Sequence, residues 1–471
     1  MRHHTQKHSA DKPIFYAFLA LFIWAPLPLG SNRYWSEQLL EFWVFALAAW
    51  WLILFALGRV SVTAAFRYSK PVLVLFGLWL GLVGFQLVPL SDPLLQALSP
   101  TLAEHHETLG VHGIDPANTV TISPHDTQVF FFKSLAYILI FCLALLLLRR
   151  TERIRTLGIV LVLSGTFQAV YGGIMTMSGL EWGFFAEKEH YKGVATGTFS
   201  NRNSLAGYLE MCLAVGIGML LADMGDSEAT DWRQRARNIV RWLMSPKIRL
   251  RIYLALMVIG LVLTRSRMGN TAFFSSLIIM GLLWLWLSGK ARKKSTLIVL
   301  VSLFVIDIYI VGAWFGIDKV VDRLEKTSVV SETRDDVVGD SSAYIEQFSI
   351  AGSGGATFYT GFPFYRGENV DEFYSLAHND YLQFSLETGY MGIGLLGIIV
   401  IWSFWLSMRS VRLRKRNILK GVGFSAGMGG MQLMIHSSVD FNLQIPANAA
   451  FFMLLLSFAW LSVGYQQENR R

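Results

Sequence analysis

Charge and cysteine are scarce in this sequence. Asp, Glu, Lys and Arg make up 16% of the 471 residues, whereas about 25% is usual for a soluble domain. With 53% hydrophobic residues and a mean hydropathy of +0.43, this scarcity excludes a disordered chain and argues against an ordinary cytosolic enzyme. Cys142 and Cys212 both lie in apolar runs, so we expect neither a disulfide framework nor a cysteine metal site.

Familiar cofactor and processing motifs are absent as well. The sequence has no Walker A motif and no dinucleotide fingerprint, and its histidines at 105, 106, 112 and 125 lack a zinc-binding spacing. We therefore expect neither a cofactor nor a metal. No small-residue cleavage site follows the first apolar run, which predicts an uncleaved first helix.

Long apolar runs dominate what is present. Segments of about 17–25 mostly apolar residues can cross a bilayer as helices. We predict an all-α polytopic integral membrane protein, with a single membrane domain over 1–471 and about twelve transmembrane helices. The eleventh span, at 418–436, is Gly-rich and has the lowest hydropathy of the twelve. We retain it because small residues suit close helix packing. The predicted spans are 14–30, 38–57, 71–89, 129–148, 157–178, 203–222, 250–267, 269–288, 296–316, 387–408, 418–436 and 446–465.

Basic residues collect in alternate loops between these spans. The clearest clusters are 149–155, 233–251, 290–294 and 409–420, whereas the loop from Val88 to Gln128 has no Lys or Arg. By the positive-inside rule this pattern predicts that both termini are cytoplasmic. The net charge of +8 then reflects loops that face anionic lipid, and no nucleic-acid partner is expected.

Two outer loops are long, at 90–128 and 317–386. The second is rich in acidic residues and carries a dense aromatic run at 357–383. Aromatic faces interleaved with Asn, Asp and Glu suit carbohydrate, because sugar C–H faces lie on rings while hydroxyls take polar partners. The alternative is that these aromatics form the loop's own core or an interfacial belt.

Two arginines occupy an unexpected place. Arg265 and Arg267 lie in TRSRMG, a tight turn on the outer side, where the positive-inside rule disfavours them. Two residues on a helix are rotated by about 200°, so one arginine can face the bundle while the other faces water. A cation facing protein there suggests an anionic partner such as phosphate; the alternative is snorkelling to headgroups.

A second segment suits an anion. GTFSNRNSLAGYL (197–209) opens the sixth span with its N-terminus outward, and Asn201 and Asn203 are suitable capping residues. Free N–H groups and the positive end of the helix dipole would then face the outer interface. Ordinary capping explains the same residues.

Ionisable groups elsewhere give three further candidates. His378, in AHND just before the tenth span, could exchange a proton at the interface, although a lone interfacial histidine is usually inert. Glu387 lies nine residues on, on the opposite face of a continuous helix, so a direct pair is not expected. Glu210 and Asp307 fall within predicted spans. Each could be an ion or proton site, or a structural partner of a buried polar group.

Four segments in chain order resemble the O-antigen ligase and polymerase superfamily of bacterial envelopes. They are GTFSNRN (197–203), TRSRMG (264–269), AHNDYLQFSLETGYMG (377–392) and HSSVDFNLQIPANA (436–449). The resemblance covers about 197–449, while the first five spans add little beyond topology. It implies a glycosyltransferase that uses a glycan carried on a polyprenyl diphosphate.

The resemblance also assigns residues. The family's loop histidine matches His378, and its outer arginine matches Arg267 better than Arg265. Its loop arginine, about 18 residues before a Gly-x-Gly segment, matches Arg334, because Gly352–Ser353–Gly354 lies at that spacing. Arg323 is the alternative, because the usual Trp and Pro of this stretch are missing. The predicted catalytic residues are His378, Arg267 and Arg334, and the predicted substrate-binding residues are Arg265, Asn201, Asn203, Asn379 and Asp440.

The implied reaction fits these residue types. Arginines and a helix N-terminus can hold a departing diphosphate, and a histidine can deprotonate an acceptor hydroxyl. The acceptor would be lipid A–core for a ligase or another glycan for a polymerase, at the periplasmic face of a Gram-negative inner membrane, by inversion and without a metal. The main alternative is a transporter or flippase, since twelve spans also suit a carrier; a scaffold is less consistent with outward-facing arginines.

Overall fold

The computed structural model describes residues 10–112, 117–185, 187–223, 246–287, 328–368, 370 and 374–466. Every regular element among these residues is helical, in agreement with the predicted all-α class. In chain order the α-helices are α1 Lys12–Trp24, α2 Tyr34–Ala56, α3 Ala64–Tyr68, α4 Lys70–Phe85, α5 Asp92–Leu98, α6 Pro100–Val111, α7 Pro124–Leu147, α8 Thr151–Ser178, α9 Arg202–Ala222, α10 Pro246–Leu263, α11 Arg267–Leu287, α12 Ser328–Gln347, α13 Phe358–Gly361, α14 Asp380–Leu413, α15 Asn417–His436 and α16 Pro446–Gly464.

Seven of the described helices are long and apolar enough to cross a membrane, and α1 and α4 are shorter apolar helices. All predicted spans coincide with a helix except 296–316, which lies outside the described residues together with Asp307. The count of twelve spans stays a prediction. The seven long helices are α2, α7, α8, α9, α11, α14 and α16.

The Gly-rich helix α15 lies in the middle of the bundle. It packs against α9, α11, α14 and α16. Its closest approach is to α9, where a Cβ on Gly421 would lie 2.3 Å from the carbonyl oxygen of Gly218. Small residues therefore let two backbones meet, as expected for helices packed inside a membrane.

Helices α5, α6, α12 and α13 lie together on one side of the bundle, called the loop side below. They share a small apolar core of their own, which includes Leu95 and Tyr344. Part of the aromatic run joins it, since Phe358 and Phe362 are buried, whereas Tyr359 and Phe364 are exposed. The loop-core interpretation therefore holds for the buried pair, and exposed rings remain for the carbohydrate interpretation.

A tight backbone contact fastens this loop core to the bundle. Gln86 donates from Nε2 to the carbonyl oxygens of Ala351 and Glu387, at 2.6 and 2.8 Å. A Cβ on Gly352 would lie 2.3 Å from the same Glu387 oxygen. Gly389, with φ of +65°, kinks α14 at this contact. The Gly-x-Gly segment thus serves as the joint between loop and bundle.

The opposite side of the bundle carries fixed positive charge. Asp11 is buried between Arg149, at 3.2 Å, and Arg153, at 2.7 Å. These arginines belong to the cluster at 149–155, and the cluster at 409–420 lies at the same side, where α14 ends and α15 begins. Both basic clusters are therefore remote from the loop side.

Candidate functional site

The segment 436–449 is the meeting point of the site. It comprises the last residue of α15, a turn that ends in a short 3-10 helix at Asn442–Gln444, and the first turn of α16. Its residues contact the beginnings of α9 and α14 directly and, through Glu210, the beginning of α11. The four segments singled out in the sequence therefore lie together on the loop side.

The beginning of α9 is held against this turn. Asn201 is the N-cap, and its Oδ1 accepts a hydrogen bond from the N–H of Asn203 at 2.8 Å. Asn448 donates from Nδ2 to the carbonyl oxygen of Ser204 and to Oδ1 of Asn442, at 2.9 and 3.1 Å. The predicted capping is confirmed, and Asn203 is half-buried within the first turn.

The preceding loop fixes the angle at which α9 enters the bundle. The hydroxyl of Thr198 donates to the carbonyl oxygen of Pro26 at 2.6 Å, and its N–H donates to Oε1 of Gln168 at 2.9 Å. Because Thr198 is fully buried, these bonds tie the cap of α9 to helix α8 and to the turn that follows α1. The N-terminus of α9 is thus rigidly placed at the loop side.

The two arginines are both exposed. Arg265 has φ of +53° and precedes α11, which begins at Arg267. The rotation expected from a helix is therefore wrong here, because Arg265 lies in a left-handed turn and not on a helix. The buried residue between them, Ser266, caps the helix by accepting from the N–H of Gly269 at 3.2 Å. Both guanidinium groups extend from a turn whose own core is fixed.

His378 lies in the loop immediately before α14. Its φ is +50°, which is uncommon for a side chain larger than glycine. The imidazole packs edge-on against the ring of Phe441, with centroids 4.6 Å apart, and against Tyr374 at 5.8 Å. Asn379, its neighbour, caps α14 by accepting from the N–H of Leu382 at 3.1 Å. The half-buried imidazole is thus confined between two aromatic rings.

Asp380, the first residue of α14, ties the His378 loop to the central turn. Its buried carboxylate accepts hydrogen bonds from the hydroxyl of Ser437 at 2.7 Å and the N–H of Leu443 at 3.0 Å. Its own N–H donates to the carbonyl oxygens of Ser437 and Asp440, at 3.0 and 3.2 Å. The turn 437–443 therefore wraps around Asp380, two residues from His378.

A buried histidine–carboxylate cluster lies beneath this turn. Nδ1 of His436 is 2.9 Å from Oε1 of Glu210, and Nε2 is 3.8 Å from Oδ2 of Asp440. Glu210 and His436 are fully buried. Asp440 is almost buried and accepts the N–H of Phe441 at 2.8 Å. Glu210 therefore has a structural partner. Asp440 has a structural role in the turn through its hydrogen bond with Phe441.

The structure does not describe the side chains of the two candidate loop arginines. Arg334 falls within α12, but its side chain is outside the described part of the structure, and Arg323 lies outside it altogether. Glu387 is bound on another face of α14, since its Oε1 accepts from Gln383 at 3.0 Å and from the N–H of Phe358 at 3.4 Å. It anchors the loop core, in line with the expectation that it does not pair with His378.

Below the turn, a cavity of about 400 Å³ runs between α4, α7, α14, α15 and α16. This volume is within the range of ligand pockets, about 300–1,000 Å³. Polar atoms line it where Asp380, Ser437 and Gln444 meet at the loop side, and Lys133, paired with Glu37, also borders it. Ser134, Tyr137 and Tyr381 add hydroxyl groups, and most of the remaining wall is apolar and largely aromatic, including Phe76, Trp79, Phe130, Phe384, Phe452 and Leu456.

Buried tyrosine and serine hydroxyls stiffen the loop core above the site. Tyr344 donates to Oγ of Ser353 at 2.8 Å, and Ser353 in turn bonds to Thr357 at the same distance. Burial raises the pKa of the Tyr344 phenol well above its usual value, so the phenol stays protonated as a donor. The Gly-x-Gly segment is therefore held from the loop side as well as from the bundle.

Sequence patterns did not identify Asp380 or His436 as site residues. The only signals were the four-residue spacing of His436 and Asp440, which places them on one helical face, and an acidic residue in a first helical turn. Neither signal points to Glu210, which lies 226 residues away from its partner. Such long-range pairs become visible only when the helices pack.

Comparison with protein-family models identifies a related family. Residues 252–397 match the family model described as O-antigen ligase. The matched region includes the arginine turn, the Gly-x-Gly segment and the His378 loop. No curated protein matches the chain.

Proposed function

From a chain that carries an O-antigen ligase domain, we propose an enzyme that moves a glycan from a polyprenyl diphosphate carrier to an acceptor hydroxyl. The observation that carries this proposal is the convergence of the α9 cap, the arginine turn and the His378 loop on the segment 436–449, beside a deep apolar cavity. A lipid-linked substrate needs both an apolar slot and a polar reaction centre at its mouth.

The cavity supports a lipid-linked donor. Its apolar walls suit the isoprenoid chain, which would exchange contacts with lipid tails for van der Waals contacts with the cavity wall. The polar mouth at Asp380, Ser437 and Gln444 lies at the loop side, where the carrier's headgroup would emerge. We place the polyprenyl chain in this cavity and the diphosphate at the loop side.

Cations and a helix terminus are available for the diphosphate. Arg267 and Arg265 extend from the turn before α11, and we assign Arg334 to the same task. The capped N-terminus of α9, with Asn201 and Asn203, offers N–H groups and the positive end of a dipole. Charge that develops on the leaving diphosphate would be stabilised there.

The acceptor hydroxyl is a poor nucleophile, and His378 is the base we assign to it. Its imidazole takes the hydroxyl proton as the acceptor oxygen forms a bond to the anomeric carbon and the bond from that carbon to the diphosphate oxygen breaks. One displacement inverts the anomeric configuration. Asn379 follows this histidine in the chain, and Asp440 precedes Phe441, whose ring packs against the imidazole; we assign both residues to the acceptor glycan.

The basic clusters at 149–155 and 409–420 support the orientation. They lie on the side opposite the loops, so the positive-inside rule favours a cytoplasmic position for that side and for both termini. The loop side would then face the periplasm of an inner membrane. Lipid A–core and a second glycan are both acceptors of the required chemistry.

The test uses purified protein in nanodiscs with a polyprenyl-diphosphate oligosaccharide, offered with and without lipid A–core. We expect release of polyprenyl diphosphate by the wild type. Loss of at least 100-fold in kcat is expected for His378→Ala, and a similar loss for Arg267→Ala. A ladder without added acceptor would identify a polymerase, and one discrete lipid A-linked product a ligase. Equal rates for His378→Ala and wild type would remove this histidine from the mechanism.

A transporter or flippase remains the alternative. Its strongest sequence signals were Glu210 and Asp307 within spans. Glu210 is paired with His436, which favours a structural partner over a free ion site. If the wild type releases no polyprenyl diphosphate with any acceptor, flux of lipid-linked glycan across proteoliposomes would be measured instead.

A further inference from the structure

We infer that Glu210 and His436 form a positioning pair, which holds the His378 loop and the arginine turn in one fixed arrangement. The inference rests on the proposed transfer reaction. It adds to that reaction two buried residues that reach no substrate and act only through the groups they support.

The pair is buried, so any unpaired polar atom in it would lower the stability of the fold. Both side chains are completely buried among α9, α11 and α15, and a buried charge or polar group without a partner strongly destabilises a fold. The 2.9 Å contact between Nδ1 of His436 and Oε1 of Glu210 satisfies one atom of each group. Each side chain therefore depends on the other for its place.

The pair is nevertheless only partly satisfied. Within the described residues, Oε2 of Glu210 and Nε2 of His436 have no hydrogen-bond partner, and the nearest carboxylate oxygen to Nε2, on Asp440, is 3.8 Å away. An apolar pair of similar volume would avoid this cost. A role in stability alone thus gives a poor account of these residues.

His436 is connected through the following turn to His378, the proposed base. His436 is the last residue of α15 and sets the start of the turn that carries Ser437, Asp440 and Phe441. Ser437 and Asp440 bind Asp380, and the ring of Phe441 packs against His378. A shift of the His436 imidazole would move the wall against which the catalytic imidazole rests.

Glu210 contacts the turn that carries the two arginines assigned to the diphosphate. Gly269, in the first turn of α11, approaches so closely that a Cβ there would lie 3.0 Å from Oε1 of Glu210 and 2.7 Å from Cβ of Ala206. The same carboxylate therefore supports the turn from which Arg265 and Arg267 extend. One buried pair thus lies between the groups assigned to the leaving diphosphate and the group assigned to the nucleophile.

The experiment separates positioning from packing. His436→Leu alone leaves Glu210 buried without its partner, whereas the double variant Glu210→Met with His436→Leu replaces the pair by apolar side chains. We expect the double variant to recover most of the melting temperature that the single variant loses. Its kcat for glycan transfer should stay at least tenfold below wild type, with a smaller change in the KM for the donor.

A second measurement does not depend on activity. Hydrogen–deuterium exchange of the peptides covering 264–270, 377–383 and 437–444 should rise at least tenfold in the double variant. The control is Ser403→Ala, which removes a buried hydrogen bond from Nε1 of Trp460, 3.0 Å long, elsewhere in the bundle. We expect this control to leave exchange in all three peptides unchanged.

The outcomes distinguish the positioning role of the pair from the proposed transfer reaction. A double variant with wild-type stability, wild-type kcat and unchanged exchange would overturn the positioning role. If the wild type itself shows no transfer, the proposed function fails, and the exchange measurement alone decides whether the pair positions the two segments. Wild-type transfer combined with increased exchange and lowered kcat in the double variant supports both.

Discussion

The hydroxyl of Ser437 donates to the carboxylate of Asp380 at 2.7 Å, across 57 residues of sequence. Both groups are buried at the mouth of the apolar cavity. The bond joins the end of the central helix α15 to the first residue of α14, next to the loop that carries His378. It therefore connects the core of the membrane bundle with the candidate base.

Removing this bond should weaken both the fold and transfer. Ser437→Ala leaves a buried carboxylate oxygen with one donor fewer, which costs about 1–3 kcal/mol. We expect a lower melting temperature and a lower kcat in the nanodisc assay. The matched control is Ser385→Ala, since Ser385 is half-buried and donates a solvent-exposed hydrogen bond to the carbonyl oxygen of Tyr381, within its own helix. Equal behaviour of the two variants would contradict the role assigned to Ser437.

A charge change at the cap of α9 tests the anion site. Asn201→Asp keeps a good capping side chain but adds a negative charge where the diphosphate is placed, whereas Asn201→Ala removes the cap at a cost of about 1 kcal/mol. We expect the aspartate variant to fold normally and to raise the KM for the donor about tenfold, equivalent to about 1.4 kcal/mol. An unchanged KM in a stable aspartate variant would leave capping as the only role of Asn201.

The kink in α14 gives a prediction about stability. Gly389 has φ of +65°, and a Cβ there would lie 2.3 Å from the carbonyl oxygen of Ile350. Gly389→Ala should therefore destabilise the protein by about 2 kcal/mol or more and loosen the joint with the loop core. Gly394→Ala is the control, because its Cβ meets nothing within 4 Å. Thermal unfolding and limited proteolysis near 350–356 measure the difference, and equal stability of both variants would count against this account.

The lengths of the apolar segments predict most of the helices, but they misplace the helix ends. The span predicted at 387–408 is a helix from Asp380 to Leu413, because hydropathy detects only the apolar middle of a helix. The polar first turn is set instead by the cap at Asn379 and by the hydrogen bonds of Asp380. Composition along the chain carries no information about those contacts.

The candidate site was predicted in part. His378 and Asn201 lie in segments that the fold brings together, because local motifs report side chains that act near a helix end. The contact between Glu210 and His436 could not be predicted from the sequence, because it depends on how α9 and α15 pack. The exposure of both arginines was missed for a simpler reason: Arg265 adopts a left-handed backbone conformation that sequence spacing does not reveal.

The cavity gives the most direct test of a lipid-linked donor. Gly397 lines the cavity, and a Cβ built on it meets nothing within 4 Å. Gly397→Leu should therefore extend into the cavity without disturbing the backbone and displace part of the isoprenoid chain. Gly394→Leu, one turn away and equally unobstructed, provides a control of the same size on the same helix.

We expect Gly397→Leu to raise the KM for a long-chain polyprenyl donor by about tenfold and to affect a short-chain analogue much less. The reason is that only a long chain reaches the blocked depth, so only a long chain loses packing contacts with the cavity wall. Gly394→Leu should leave both KM values near wild type. If the two variants respond alike, or if chain length makes no difference, the isoprenoid chain does not occupy this cavity and the donor must enter between other helices.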